Sequence, residues 1–458
     1  MLTERLRAGR PAPRDREMMM NQEQTRRSFL AQAAVVAGTA AVTGAKEFSV
    51  APRSRAVRSK ARPVRLRAGE TIRMGVIGPG GMGTGHCYST CDMVKRGEED
   101  VQIVALADVN QVRMGETAQG IESRQGAKVD QYTDYRELLA RDDIHCVLIA
   151  SPEHWHAKHA IDALMAGKDV YCEKPMTLRL QQALELRDVV KANPDRIFQV
   201  GTQKMMLPKY IAARDVINAG TIGKPVFSQT SYCRNTPSGE WNYYGLDPRW
   251  DPETNLDWKG WQGYLYRPDR PWDPKVYARW RRYSEFSTGI VGDLLVHQIT
   301  PLLMSLENAV GWPTRVVASG GHYVDKEMDN HDQVNLNVEF EGEHTMIVAG
   351  STCNEVGLEN LIRGNKGNIY LNSRHCQIRP TRPYVDEVDE QTIECPDIGN
   401  DQEKLRLNWW QCIRSREPAI SNVDHATKVM VIVDLATRSM WEGSAFEYDP
   451  ESMRVRKL

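Results

Sequence analysis

Asp293 and His297 stand four residues apart, a spacing that puts two side chains on one face of a helix. An acid beside a histidine can move a proton near neutral pH, the carboxylate orienting the imidazole and the imidazole accepting. The same spacing also describes an ordinary surface ion pair. Pro301 follows His297 by four residues and has no N–H to give the His297 carbonyl, so a kink is expected at the histidine. A second stretch with chemistry in it is Gly78-Pro79-Gly80-Gly81-Met82-Gly83, which fits G-x-G-x-x-G. Gly78 allows a tight turn, Gly80 lets backbone approach a pyrophosphate, and Gly83 lets a helix pack on its strand. The N-terminus of that helix then faces the phosphates.

Such a loop needs a strand before it and a helix after it. Residues 72–77 form a short apolar run, and a second strand over 101–107 ends in Asp108, 25 residues after Gly83. A carboxylate there takes the ribose hydroxyls. It favours NAD over NADP, while Arg113, five residues on, keeps NADP open. The alternation continues with a strand at 143–151, a helix at 156–167, a strand at 169–173, a helix at 178–193 and a strand at 197–201. That order predicts an α/β fold with a doubly wound parallel sheet. Strand-like alternation returns at 225–233, 314–319, 333–340, 345–351 and 368–371, and helices over 402–416 and 425–441 close the chain.

With 458 residues, 41% of them hydrophobic and 26% charged, the chain has room for two packed domains. Its net charge of −1 hides an asymmetry: residues 1–69 hold 15 Lys/Arg against 5 Asp/Glu, and the remainder 44 against 55. An acidic body has no electrostatic footprint for nucleic acid. The nine cysteines are scattered without a C-x-x-C pair, which argues against a disulfide framework and a zinc site. His154, His156 and His159 lack the convergence a metal requires. They open a helix whose start should face the cofactor, so no metal is expected and His154 is read as a cofactor or substrate contact.

Arg26-Arg27-Ser28-Phe29-Leu30 precedes an uncharged small-residue run from 31 to 45. Residues 1–45 thus read as a twin-arginine signal with Thr43-Gly44-Ala45 as its cleavage site. Export by the twin-arginine machinery to the periplasm is expected, with one of Met18, Met19 and Met20 as the true start. Residues 46–70 read as a linker, with seven positive and no negative charges over 51–67.

Three further motifs follow predicted strands: Ser151-Pro152-Glu153-His154-Trp155-His156, Glu173-Lys174-Pro175 and Val200-Gly201-Thr202-Gln203. Together they resemble the glucose-fructose oxidoreductase/inositol dehydrogenase (Gfo/Idh/MocA) family, over about residues 71 to 450. The resemblance implies a Rossmann domain over 71–203 and an α/β domain with an open, mostly antiparallel sheet over 204–458. Homo-oligomers would form through that sheet. It implies an NAD(P)-dependent dehydrogenase acting on a secondary hydroxyl, with Lys174, Asp293 and His297 as the catalytic triad after the Gly289-Ile-Val-Gly292 turn. Asp293 would orient His297, and Lys174 would stabilise developing alkoxide charge or relay the proton. The expected cofactor residues are Gly78, Gly80, Gly81, Met82, Gly83, Asp108, Ser151, Pro152, His154, Glu173, Lys174 and Gln203.

Residues 241–286 hold six of the eleven tryptophans and lead into the Arg279-Trp-Arg-Arg-Tyr283 run. Aromatic faces stack on sugar rings while Arg bonds hydroxyls, so Arg279 and Tyr283 join Lys174, Asp293 and His297 as expected contacts to a sugar, glycoside or polyol. The same aromatics equally suit a subunit interface. A redox-neutral, NAD-dependent glycoside hydrolase or lyase is the alternative activity. An exported enzyme has no soluble dinucleotide pool to draw on, so tight cofactor retention is expected.

Overall fold

The computed structural model describes residues 58–59 and 61–458. The expected signal, and linker residues 46–57 and 60, lie outside the described residues. Six parallel strands form the first sheet: β1 (Ile72–Ile77), β2 (Val101–Ala107), β3 (Asp130–Tyr132), β4 (Cys146–Ile149), β5 (Asp169–Cys172) and β6 (Phe198–Val200). Their order is β3-β2-β1-β4-β5-β6, so the chain reverses its direction of winding between β1 and β4, where a doubly wound sheet opens its binding crevice. β1, β4 and β5 are apolar and almost wholly buried, as a sheet covered on both faces demands.

Besides a five-residue helix at Tyr135–Leu139, four helices connect these strands: α1 (Gly81–Lys95), α2 (Gln111–Gln125), α3 (Glu153–Met165) and α4 (Leu180–Ala192). α2 starts at Asn110, whose side chain accepts from the Arg113 N–H, and stops at Gly126 in the left-handed region. α3 begins at Glu153, three residues before the expected start at 156.

The second sheet has ten strands: β7 (Pro225–Cys233), β8 (Pro313–Gly321), β9 (Gln333–Phe340), β10 (His344–Ser351), β11 (Leu361–Gly364), β12 (Gly367–Tyr370), β13 (Cys376–Pro380), β14 (Gln391–Ile393), β15 (Phe446–Asp449) and β16 (Arg454–Lys457). Only the β7–β10 pair is parallel. Behind it run α5 (Pro208–Asn218), α6 (Val296–Val310) and α8 (Val423–Glu442), while α7 (Asp401–Ser415) lies elsewhere. One apolar core joins Val147 and Ile149 of the first sheet to Ile290, Leu294, α6, α8 and the second sheet. α7 instead buries Trp409 and Trp410 in a second core with residues of β1, β2, β4 and β5. Among the described residues no helix is long and apolar enough to cross a membrane.

Pro301 does not end the helix. α6 runs through it from Val296 to Val310, and the irregular turn lies upstream, a π-helical stretch over Ile290–Leu295. Gly289, at φ +59, starts that stretch.

Candidate active site

The parallel sheet sets most of the site. Ile77 is level with Ala107 and Ile149, Ile149 with Cys172, and Cys172 with Val200. The next residue of each strand is therefore Gly78, Asp108, Ala150, Glu173 or Gly201, all along one carboxyl edge. Gly78 sits at φ +83, and a Cβ there would strike the Ser151 backbone; a Cβ on Gly83 would strike the Gly78 carbonyl. By contrast Gly81 has nothing within 4 Å of where its Cβ would be, and α1 starts there without a side-chain cap. Its first N–H groups thus open on a cradle that only glycine leaves free, which fits a pyrophosphate. Met82 is exposed at the tip of the loop.

Asp108 accepts from the Asn110 N–H through Oδ1, and burial pushes its carboxyl up to about 6. Oδ2 takes no partner among the described residues, which leaves it for a donor such as a ribose hydroxyl. Arg113 lies under aromatic rings, 4.4 Å from the Trp250 centroid and 5.3 Å from that of Tyr277. On the other side of β1, Pro152 caps α3 and Ser151 Oγ pairs with His159 Nδ1. His154 Nε2 donates to the Trp261 carbonyl, while its Nδ1 is buried without a partner. His156 instead faces the Pro175 and Ser151 carbonyls. The three histidines thus take separate partners, and among the described residues no group of three His, Cys, Asp or Glu is placed to hold a metal. Gln203 opens a 3-10 turn just past β6.

Glu173 is held from behind. Arg406 of α7 reaches His86 Nδ1 at 2.7 Å, and His86 Nε2 meets Glu173 Oε1 at 2.7 Å. Arginine only donates, so Nδ1 accepts and the proton of a neutral His86 sits on Nε2, aimed at the carboxylate. Burial keeps His86 below its ordinary pKa.

Lys174 then turns towards the second sheet. Its Nζ donates to Asp293 Oδ1 at 2.8 Å and to the Asp293 carbonyl at 2.9 Å. Arg281 Nε donates to the same Oδ1 at 2.9 Å, and Trp241 Nε1 to Oδ2 at 3.0 Å. Burial alone would raise the Asp293 carboxyl, but Lys174 and Arg281 outweigh it and hold it far below the usual carboxylate range. Trp241 sits in the left-handed region at φ +59, a strained backbone for a tryptophan.

Asp293 does not hydrogen-bond His297, contrary to the expectation from their spacing. Asp293 lies in the π turn, where i→i+5 bonding widens the helix and four residues no longer complete a turn. Its carboxylate is turned to Lys174, Arg281 and Trp241 instead. Burial, and next Lys174, push His297 down to about 3, so the imidazole is neutral where a near-neutral pKa was expected. Its Nδ1 is buried without a partner. Nε2 has no hydrogen-bond partner among the described residues and is the nitrogen open to a ligand.

Of the two expected sugar contacts, Arg279 is turned to the Tyr244 carbonyl and the Asn242 side chain, and Tyr283 packs on the aromatic cluster of residues 250–286. The arginine of that run that reaches the site is Arg281. Arg281, Trp241, Arg406 and Glu153 are residues that sequence reasoning did not assign. The first two sat inside quoted runs, where the Arg-rich stretch before the Asp293 turn was the available signal.

Glu153 opens α3 fully buried, accepting from Ser287 Oγ and from the Thr288 N–H and Oγ1. Burial, with Asp293 adding, pushes it up to about 7 against those hydrogen bonds. The folded state then binds its proton more tightly than the unfolded chain, so stability falls as pH rises from the unfolded value near 4.5 through 7. The expected loss is about 3 kcal/mol across that window. Urea unfolding of the wild type and Glu153→Gln from pH 4 to 8 should show the two curves diverging by that amount; parallel curves contradict the raised pKa.

The description "Oxidoreductase family, NAD-binding Rossmann fold" matches residues 72–202, and "Oxidoreductase family, C-terminal alpha/beta domain" matches residues 265–447. An inositol 2-dehydrogenase of Klebsiella pneumoniae subsp. pneumoniae is 29% identical over 173 residues, 38% of this chain and 48% of the relative. Glycosyl hydrolase family 109 protein 1 of a Shewanella species is 30% identical over 220 residues, 45% of each protein. The chain spans about half the length of the curated relatives it matches. Levoglucosan dehydrogenase, solved in complex with NADH, shares the fold with a TM-score of 0.63 at 20% identity, over 82% of this chain and 99% of that one. With the two family descriptions matched in order, the chain belongs to the Gfo/Idh/MocA family of oxidoreductases.

Proposed function

We propose that this protein is an NAD(P)-dependent oxidoreductase acting on a secondary hydroxyl of a sugar, glycoside or polyol. The observation that carries the reading is Lys174. It stands one residue past the edge that faces a dinucleotide, and its ammonium is fixed by Asp293 beside a neutral His297. A bound nicotinamide supplies the hydride acceptor. His297 Nε2 accepts the hydroxyl proton, a transfer that a neutral imidazole can make. Lys174 Nζ donates to the substrate oxygen and stabilises the alkoxide as it forms. Asp293 holds Lys174 in place through two hydrogen bonds, and Arg281 donates to the same carboxylate. Trp241, wholly buried, donates to the other Asp293 oxygen and fixes it. NAD is preferred: Asp108 would repel a 2′-phosphate, and Arg113 is engaged by Trp250 and Tyr277.

The Arg26-Arg27 signal supports export to the periplasm in folded form with the nucleotide in place, and hence tight retention. Val317, Asn337 and Ile347 stand in one cross-strand row of the second sheet, with Val317 and Ile347 exposed, and this row supports pairing of two copies through the open face. The family 109 relatives favour a second reading, a redox-neutral glycoside hydrolase. Incubating the purified protein with an aryl glycoside panel, without added nucleotide, separates the two. The dehydrogenase should release no aglycone and should instead reduce its bound nucleotide when given a sugar or polyol. Sustained aglycone release without net reduced nucleotide would overturn it.

A further inference from the structure

The tryptophan-rich segment keeps Tyr243, Tyr244, Tyr264 and Tyr266 exposed, while Trp241, Trp250, Trp258 and Trp261 are buried. Over residues 249–277 it is bonded to the Rossmann domain, and where it docks is informative. Leu256 forms an antiparallel bridge with Asn110. The Gln111 N–H donates to the Asn255 carbonyl at 2.9 Å, and the Asp257 N–H to the Val109 carbonyl at 2.9 Å. Val109 and Val112 pack on the cluster of Trp250, Trp258, Trp261 and Tyr277. These residues of the first sheet belong to the β2–α2 connection, immediately after Asp108. Four residues past Asp257 the segment reaches α3, where the Trp261 carbonyl accepts from His154 Nε2 and Trp155 Nε1. β1 and its glycine loop lie between β2 and β4, so the segment spans the edge on which a dinucleotide would lie.

Asn110 is the joint. It is fully buried; its N–H holds Asp108 Oδ1, its Oδ1 caps Arg113, and its Nδ2 donates to Tyr277 Oη at 2.9 Å. Tyr277 thereby fixes the loop that presents the ribose-binding carboxylate. Arg113, stacked on Trp250, lies with one guanidinium nitrogen 3.5 Å from where a Gly80 Cβ would be, between the aromatic segment and the phosphate loop.

We propose that residues 249–277 are a strap that closes over the adenosine end of the bound dinucleotide, with Asn110, Arg113, Trp250 and Tyr277 as its clasp, so that the nucleotide leaves only when the strap lifts off residues 109–111. The proposal rests on the dinucleotide-binding reading of the Gly78–Gly83 loop and supplies the device for retention. The two main-chain hydrogen bonds that make up the bridge resist lifting on one side, and two hydrogen bonds to the Trp261 carbonyl resist it on the other.

The test uses the full-length protein loaded with NADH and chased with excess NAD, NADH release being followed by loss of its fluorescence. Tyr277→Phe keeps the ring and removes the hydroxyl that bonds Asn110. Loss of one hydrogen bond of about 1 kcal/mol predicts release about fivefold faster. Hydrogen exchange gives a second readout that needs no variant: the Gln111 and Asp257 amides should exchange more slowly when NADH is bound. Tyr277→Phe releasing NADH at the wild-type rate, or amide exchange indifferent to NADH, overturns the strap while leaving the dinucleotide reading intact. A wild-type protein that binds no dinucleotide overturns both.

Discussion

Replacing Lys174 by Ala is expected to lower turnover by about a thousandfold, the loss typical when a positioned proton-transfer or oxyanion-stabilising group is removed, while nucleotide binding changes by no more than a few-fold. The reasoning is geometric. Lys174 follows the row of residues at the carboxyl edge of the parallel sheet, yet its ammonium is tied to Asp293 on the far side of the site. It therefore stands where reacting substrate and cofactor would meet, and little of the cofactor's binding depends on it. Steady-state kinetics beside nucleotide titration separate the two effects. Near-normal turnover in Lys174→Ala removes it from the chemistry. Equal losses in nucleotide binding and turnover would make it a binding residue only.

Asp293→Ala should be costly in another way. The carboxylate is 8% exposed and sits between Lys174, equally buried, and Arg281, whose side chain is 21% exposed. Removing it leaves two cations facing one another with no counter-charge, and losing one partner of a buried pair costs about 3–5 kcal/mol of stability, somewhat less here because Arg281 keeps some solvent. The Trp241 N–H loses its acceptor as well. Asp293→Asn retains the acceptor and the volume but not the charge, so it should recover part of the stability and little of the activity. Combining Asp293→Ala with Lys174→Met should cost less than the sum of the single changes, since the stranded ammonium is gone. Urea unfolding of the set measures this. Additive losses, or an Asp293→Ala cost below about 1 kcal/mol, would contradict the three-way cluster.

The nucleotide half of the site was legible because its signals are local. Gly78 to Gly83 and Asp108 do their work through backbone geometry a few residues from a strand end, and apolar runs separated by helical periods announce those strands. The proton-transfer half was legible only in part. Lys174, Asp293 and His297 were placed by resemblance, but the spacing of Asp293 and His297 assumed an α-helical turn where the chain makes a π turn, which leaves no mark in hydrophobic periodicity. Arg281 and Trp241 reach Asp293 from 12 and 52 residues away, and Arg406 reaches His86 across 320. Such pairings belong to tertiary packing. The composition of residues 241–286 is the same for a sugar platform, an interface or a strap, and only the bridge to Asn110 distinguishes them.

The central claim is that Lys174 and His297 remove a proton from a carbinol whose hydride passes to a dinucleotide held on the Gly78–Gly83 loop. Rapid mixing of the NAD-loaded protein with a panel of sugars and polyols, followed at the reduced-nicotinamide band, tests it directly. The account predicts that at least one member of the panel gives a burst of about one reduced nucleotide per chain in the wild type and none in Lys174→Ala. A protein that holds NAD yet gives no reduced nucleotide with any member of the panel, or an equal burst in both proteins, would contradict it.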